Sequence, residues 1–179
     1  MKKKLINGES SIPQHIIELS NYTLELKNKI EQANLLDGNS GHKFVFKTGS
    51  FNLVLPEYQP AEVIVPPRIC AIPNTPDWFR GMINLRGNLL PVFDLDGLIT
   101  GAHSETRNWL IVFGNDESMA SLCIDTLPTS MELNNKLDLA DDEIPEILYK
   151  HLNNIYLEDN VIWLEPDYES LLSEFSMHF

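Results

Sequence analysis

A mainly β fold is predicted by three features of this 179-residue chain: apolar residues alternating with a period of two, short spacing between the alternating runs, and Pro or Gly at the joints. Short strands with one apolar face must bury those faces against one another, so the pattern predicts an all-β barrel or sandwich. Composition permits it, because 43% apolar and 22% charged residues are ordinary for a globular chain with a sizeable core.

The first 36 residues differ in texture from the rest. Ser11 and Gln14 have capping-box spacing, Pro13 suits a first helical turn, and Ile16, Leu19, Leu26, Ile30 and Ala33 recur at three- and four-residue steps. This predicts one amphipathic helix, stopped by the "DGNSGH" segment at 37–42. Such a helix either packs on its own domain or serves as a docking helix for a partner.

From Lys43 the period falls to two. "KFVFKT" and "FNLVL" flank Gly49-Ser50, a pair suited to a tight hairpin turn, and "PAEVIV" is a short strand closed by Pro66-Pro67. "RICAIPNTPDWFRG" carries Pro73, Asn74 and Pro76, which argue against a helix there. "RNWLIVFG" and "MASLCIDTL" are apolar strands separated by the polar turn "GNDES", and "NIYLEDNVIWLE" gives two strands around Glu158-Asp159-Asn160. A short helix is expected from Pro166 to Phe175, with Tyr168, Leu171, Leu172 and Phe175 on one face. "LADDEIPEIL" reads equally as a loop or a short acidic helix.

The formal charge of −13 argues against nucleic acid and anionic membranes as partners, because both are bound through clustered Lys and Arg, and here only Lys2 to Lys4 form a basic run. A protein partner with a basic patch is compatible. No run approaches the roughly 18 apolar residues of a spanning helix, and no apolar stretch after Lys4 suits a signal peptide, so the expected location is the cytoplasm without membrane insertion. Cys70 and Cys123 are each flanked by apolar residues and are expected to be buried free thiols.

"GMINLRGNLLPVFDL", residues 81–95, sets a charge and a helix breaker inside an aliphatic run. Gly87 can take the angles of a hairpin corner, so Arg86 projects at the corner instead of entering the core, and Pro91 belongs at an edge or bulge. A guanidinium held on a rigid turn offers a planar fork of donors to a partner. Its alternative role is a solubilising corner residue.

Catalytic signatures are missing: the chain contains no G-x-S-x-G, G-x-G-x-x-G, Walker loop, H-E-x-x-H or C-x-x-C. His15, His42, His103, His151 and His178 are scattered without an i, i+4 pair. "DLDG" at 94–97 lacks the later ligands of a calcium loop, and Trp78, Trp109 and Trp163 read as core aromatics. No cofactor, metal or catalytic residue is therefore expected, and the chain reads as a binding module. A small-ligand-binding β-barrel, or an enzyme of unrecognised type, is the alternative.

"NTPDWFRGMINLRGNLLPVFDL", residues 74–95, resembles the central signature of the CheW family of chemosensory coupling proteins, through Asn84, Leu85, Arg86, Gly87, Pro91, Asp94 and Leu95, with Ile124-Asp125 matching a later pair. Within that family it looks closest to the PilI-type couplers of type IV pilus twitching systems. The resemblance implies two small packed β-barrels of about five strands each over residues 42–179, after an N-terminal helix and linker at 1–41. It implies an adaptor without chemistry of its own, joining the cytoplasmic tip of a chemoreceptor to the regulatory domain of a CheA-type histidine kinase. By similarity, Glu62 and Arg86 face the receptor, with Gly81 allowing close approach of the chain nearby. The chain departs from the family pattern at Ala120-Ser121, Asn153-Asn154 and Trp163-Leu164-Glu165.

Overall fold

A computed structural model describes residues 41–102, 108–115, 119–137 and 144–177; the helix expected within the first 36 residues lies outside them, as does the first half of "LADDEIPEIL". In chain order the elements are β1 (His42–Thr48), β2 (Phe51–Leu55), β3 (Ala61–Ile64), β4 (Phe79–Leu85), β5 (Asn88–Phe93), α1 (Leu95–Thr100), β6 (Trp109–Phe113), β7 (Ala120–Ile124), β8 (Thr129–Glu132), α2 (Glu146–Tyr149), β9 (Leu152–Glu158), β10 (Val161–Pro166) and α3 (Tyr168–Ser176). The strands form two five-stranded sheets, ordered β8-β1-β2-β10-β9 and β3-β6-β7-β5-β4.

Each sheet is drawn into a barrel in the same way. Beyond edge strand β3 the chain returns to pair with the opposite edge, Cys70 bridging Met82 of β4. Beyond edge strand β8, Lys136 bridges Tyr156 of β9. The likeness extends further. In each barrel a hairpin (β1–β2 or β6–β7) runs beside the second strand of another (β9–β10 or β4–β5), with the two contributed strands parallel. Each second hairpin leads into a helix capped by aspartate. Asp94 accepts from Gly97 N at 3.1 Å, and Asp167 accepts from Ser170 N at 3.1 Å. The cap backbones also agree, Asp94 N–H donating to Trp78 O (2.7 Å) and Asp167 N–H to His151 O (2.8 Å). The chain is thus an internal repeat in structure that its residues do not advertise.

Alternation fills each interior. Val45, Val54, Leu133, Tyr156 and Trp163 form the core of the first barrel, and Ile83, Leu90, Val92, Leu110, Val112 and Cys123 that of the second. The opposite strand faces supply the layer between the barrels, which α3 completes. The Tyr168 ring stacks on Phe113 of the second barrel (4.1 Å between centroids) and on Phe46 of the first (6.1 Å), while Phe175 packs edge-on to Phe93 at 5.7 Å. Polar contacts fasten the far side of the helix. His151 engages Glu174 at 2.5 Å and Ser170 at 2.8 Å, and Lys150 pairs with the same glutamate.

The polar departures from the family pattern at Ser121, Asn154 and Glu165 are hydrogen-bonded in place. Ser121, buried in β7, donates its hydroxyl to Pro91 O at 2.8 Å. Asn154 and Glu165 are cross-strand partners, and the buried Glu165 carboxylate accepts from Asn154 Nδ2 (2.7 Å) and Tyr156 Oη (2.8 Å). Two substitutions are therefore one hydrogen-bonded unit.

One sequence expectation changes, and two segments given no definite element gain one. Cys123 is buried, but Cys70 is exposed, because its strand segment closes a barrel edge whose outer face meets solvent. The "DLDG" segment opens helix α1, with Asp94 as its cap. Between residues 126 and 150 the chain adds strand β8 and the single turn α2.

Burial, and next its hydrogen bond to Glu165, raises the ionisation of Tyr156 above the ordinary phenol range; burial, then the Glu165 charge, raises that of Tyr168 as well. A phenol whose folded value lies above its unfolded value of about 10 stabilises the fold below that pH and loses its contribution as pH climbs towards the folded value. In an alkaline titration monitored by tyrosinate absorbance, these two phenols should ionise only with cooperative unfolding. Simple independent ionisation near pH 10 with the fold intact would contradict their burial.

Candidate functional site

The stretch 81–95 forms a hairpin turning at Arg86-Gly87. Ile83 faces Leu90 and Leu85 faces Asn88 across the β4–β5 ladder, leaving the two corner residues unpaired. Both have positive φ, 54° at Arg86 and 94° at Gly87, the combination of a type I′ turn, whose twist matches its strands. Asn84 reaches over the corner, its Oδ1 accepting from Gly87 N at 3.0 Å.

Arg86 is joined to Glu62. Nη1 donates to Oε2 at 2.9 Å and Nη2 to Oε1 at 2.6 Å, a two-pronged pair between the β4–β5 corner and edge strand β3. The pair therefore spans the seam where the second barrel's edges meet. Glu62 lies opposite Val112 and two residues before Ile64, so its side chain leaves the inner face at the barrel's end. The arginine side chain is 71% exposed and that of Glu62 is 32% exposed. The hydrogen bonds to Glu62, then its charge, raise the guanidinium's ionisation further. Water screens a pair this exposed, so it contributes little to stability. It does hold a charged fork in one orientation while most of its surface stays open.

Gly81 stands apart from the pair. It is buried in β4 with φ +121°, beside a register shift between Phe79 and Gly81. A Cβ placed on it would lie 2.3 Å from Cys70 O and 2.7 Å from Cys70 C. The chain's own closing segment approaches closely there, held by Cys70 N–H to Met82 O (2.8 Å) and Met82 N–H to Cys70 O (2.9 Å).

Two features of this corner escaped the sequence reading. Leu89, within the aliphatic run, is 69% exposed beside the turn, and Asn84 caps the corner. An Asn two positions before an x-Gly corner was the available signal for the second. Trp163 is core in the first barrel, and Trp78 packs on Phe93 and Phe175. Among the described residues, no group of three or more His, Cys, Asp or Glu is placed to hold a metal ion, and no helix is long and apolar enough to cross a membrane.

Comparison with known proteins matches residues 43–176 to the CheW-like domain. Chemotaxis protein CheW of Helicobacter pylori is 29% identical over 114 residues, covering 62% of this chain and 67% of that protein. Protein PilI of Pseudomonas aeruginosa is 32% identical over 82 residues, covering 45% of this chain and 46% of its own length, so the match spans about half of that relative. The crystal structure of the scaffolding protein TtCheW from Thermoanaerobacter tengcongensis superposes with a TM-score of 0.61 at 21% identity, over 76% of this chain and 90% of that one, a likeness of fold. With the double barrel, the corner hairpin and a family match across nearly the whole described region, this chain belongs to the CheW-like domain family.

Proposed function

We propose that the protein is a cytoplasmic, non-catalytic adaptor that couples the cytoplasmic tip of a chemoreceptor to the regulatory domain of a CheA-type histidine kinase, in a pathway controlling type IV pilus twitching. The observation that carries this reading is the Arg86 fork, oriented by Glu62 on a rigid corner yet open to a partner. Family membership supports the adaptor role, and the similarity to PilI supports the pilus branch. Residues 1–41 would form a helix and linker ahead of the adaptor domain at 42–179. The receptor tip is a helical hairpin, which would offer polar groups to the Arg86 fork and aliphatic side chains to the neighbouring Leu89.

Arg86→Ala and Glu62→Lys are expected to weaken binding of a receptor-tip fragment in calorimetric titration by about 10-fold or more, the scale of losing charge-assisted hydrogen bonds. Melting curves should barely move, since the pair is exposed. Exchanging the charges, Glu62→Arg with Arg86→Glu, rebuilds a pair but moves the fork, and should not restore binding. Unchanged affinity in the single variants, or full recovery in the exchanged one, would refute the recognition role.

A further inference from the structure

The turn that carries Arg86 is built from an unfavourable residue. A type I′ corner requires positive φ at both central positions, which Asn, Asp and Gly tolerate and a long side chain does not. The chain contains its own comparison. The corresponding corner of the first barrel, between β9 and β10, uses Asp159 (φ 49°) and Asn160 (φ 61°), residues suited to that geometry. At the corresponding first position the second barrel has Arg86 at φ 54°. Left to local preference, "LRG" favours a longer loop in which Arg86 takes a right-handed conformation and Gly87 alone is left-handed. Something must select the tighter form.

We infer that Asn84 is the positioning residue of this site: by accepting the Gly87 N–H it fixes the peptide between Arg86 and Gly87, and so holds Arg86 left-handed with its guanidinium aimed at Glu62. The geometry is on hand for this. The 3.0 Å bond from Gly87 N to Asn84 Oδ1 is the only hydrogen bond shown from that amide among the described residues, and the peptide it orients lies between the two residues whose φ must stay positive. Asn84 is itself exposed and faces Leu89 across the ladder on the outer surface, so it packs no core. Its contribution lies in the direction of another side chain.

The positioning role can be read on the free full-length chain, and its effect on recognition rests on the adaptor reading above. In solution NMR, the strong intraresidue amide–Hα contact that marks positive φ at Arg86 should be present in the parent protein, lost in Asn84→Ala, and kept in Asn84→Asp, which retains an acceptor. Receptor-tip affinity should fall about 5-fold in Asn84→Ala, the scale of one lost hydrogen bond, with little change in melting temperature. If Arg86 keeps positive φ and its contact with Glu62 in Asn84→Ala, the inference is overturned. If the corner changes in Asn84→Ala while neither that variant nor Arg86→Ala alters receptor-tip binding, the positioning role stands and the adaptor reading of this corner falls.

Discussion

Tyr168→Ala is expected to lower the stability of the folded domain by about 4 kcal/mol, the range for emptying a fully buried aromatic site, and to drop the melting temperature by roughly 10–15 °C. Tyr168 joins the two barrels directly. Its ring is fully buried between Phe113 of one barrel and Phe46 of the other, its hydroxyl donates to Val54 O at 2.9 Å, and its amide donates to Gln59 Oε1 at 3.3 Å. Against a total stability of about 5–15 kcal/mol for a domain, losing it should also loosen α3 and expose the layer between the barrels. Tyr168→Phe separates the contributions: it keeps the stacking, removes one hydrogen bond, and should cost about 1 kcal/mol. The measurement is denaturant unfolding of all three proteins. An alanine variant as stable as the phenylalanine one would show that the stacked ring is not what holds the barrels together.

Much of this architecture was legible because local chemistry and tertiary structure agree. Gly49-Ser50, Arg86-Gly87 and Asp159-Asn160 were each marked as corners by residues around them, and each lies between paired antiparallel strands. The face of α3 was legible too, since Tyr168, Leu171, Leu172 and Phe175 recur at helical spacing and all four are buried. What failed was information that spacing does not carry. Cys70 sits among apolar neighbours in sequence, but whether a strand's outer face is covered depends on which element crosses it, and among the described residues none buries this one. Helix α1 is only six residues long, too short for a periodic signal, and its marker was a single capping aspartate.

The candidate site divides in the same way. Arg86 was readable as an exposed corner charge, and Glu62 entered through family resemblance alone. Their two-pronged contact depends on closure of the second barrel, which brings residues 24 apart in sequence to opposite sides of one seam. Such a contact leaves no trace in composition or period. The cost of placing Arg at a left-handed corner is itself informative, because sequences break local preference where a side chain must be presented in one direction.

Gly81 belongs to that seam in a different capacity. Gly81→Ala should destabilise the domain by about 3 kcal/mol or more, combining the strain of an L side chain at φ +121° with a clash against backbone. The neighbouring atoms at 2.3 and 2.7 Å are the carbonyl oxygen and carbon of Cys70, which cannot swing aside as a flexible side chain would. Relief requires the closing segment to lift, breaking both hydrogen bonds between Cys70 and Met82 and opening the edge that the Arg86–Glu62 pair spans. Receptor-tip binding should then fall together with protection of the Met82 amide in hydrogen exchange. In Arg86→Ala, by contrast, affinity should fall while that amide stays protected. A Gly81→Ala protein that melts like the parent and keeps Met82 protected, yet no longer binds, would instead place the partner directly against Gly81 and make it part of the recognised surface.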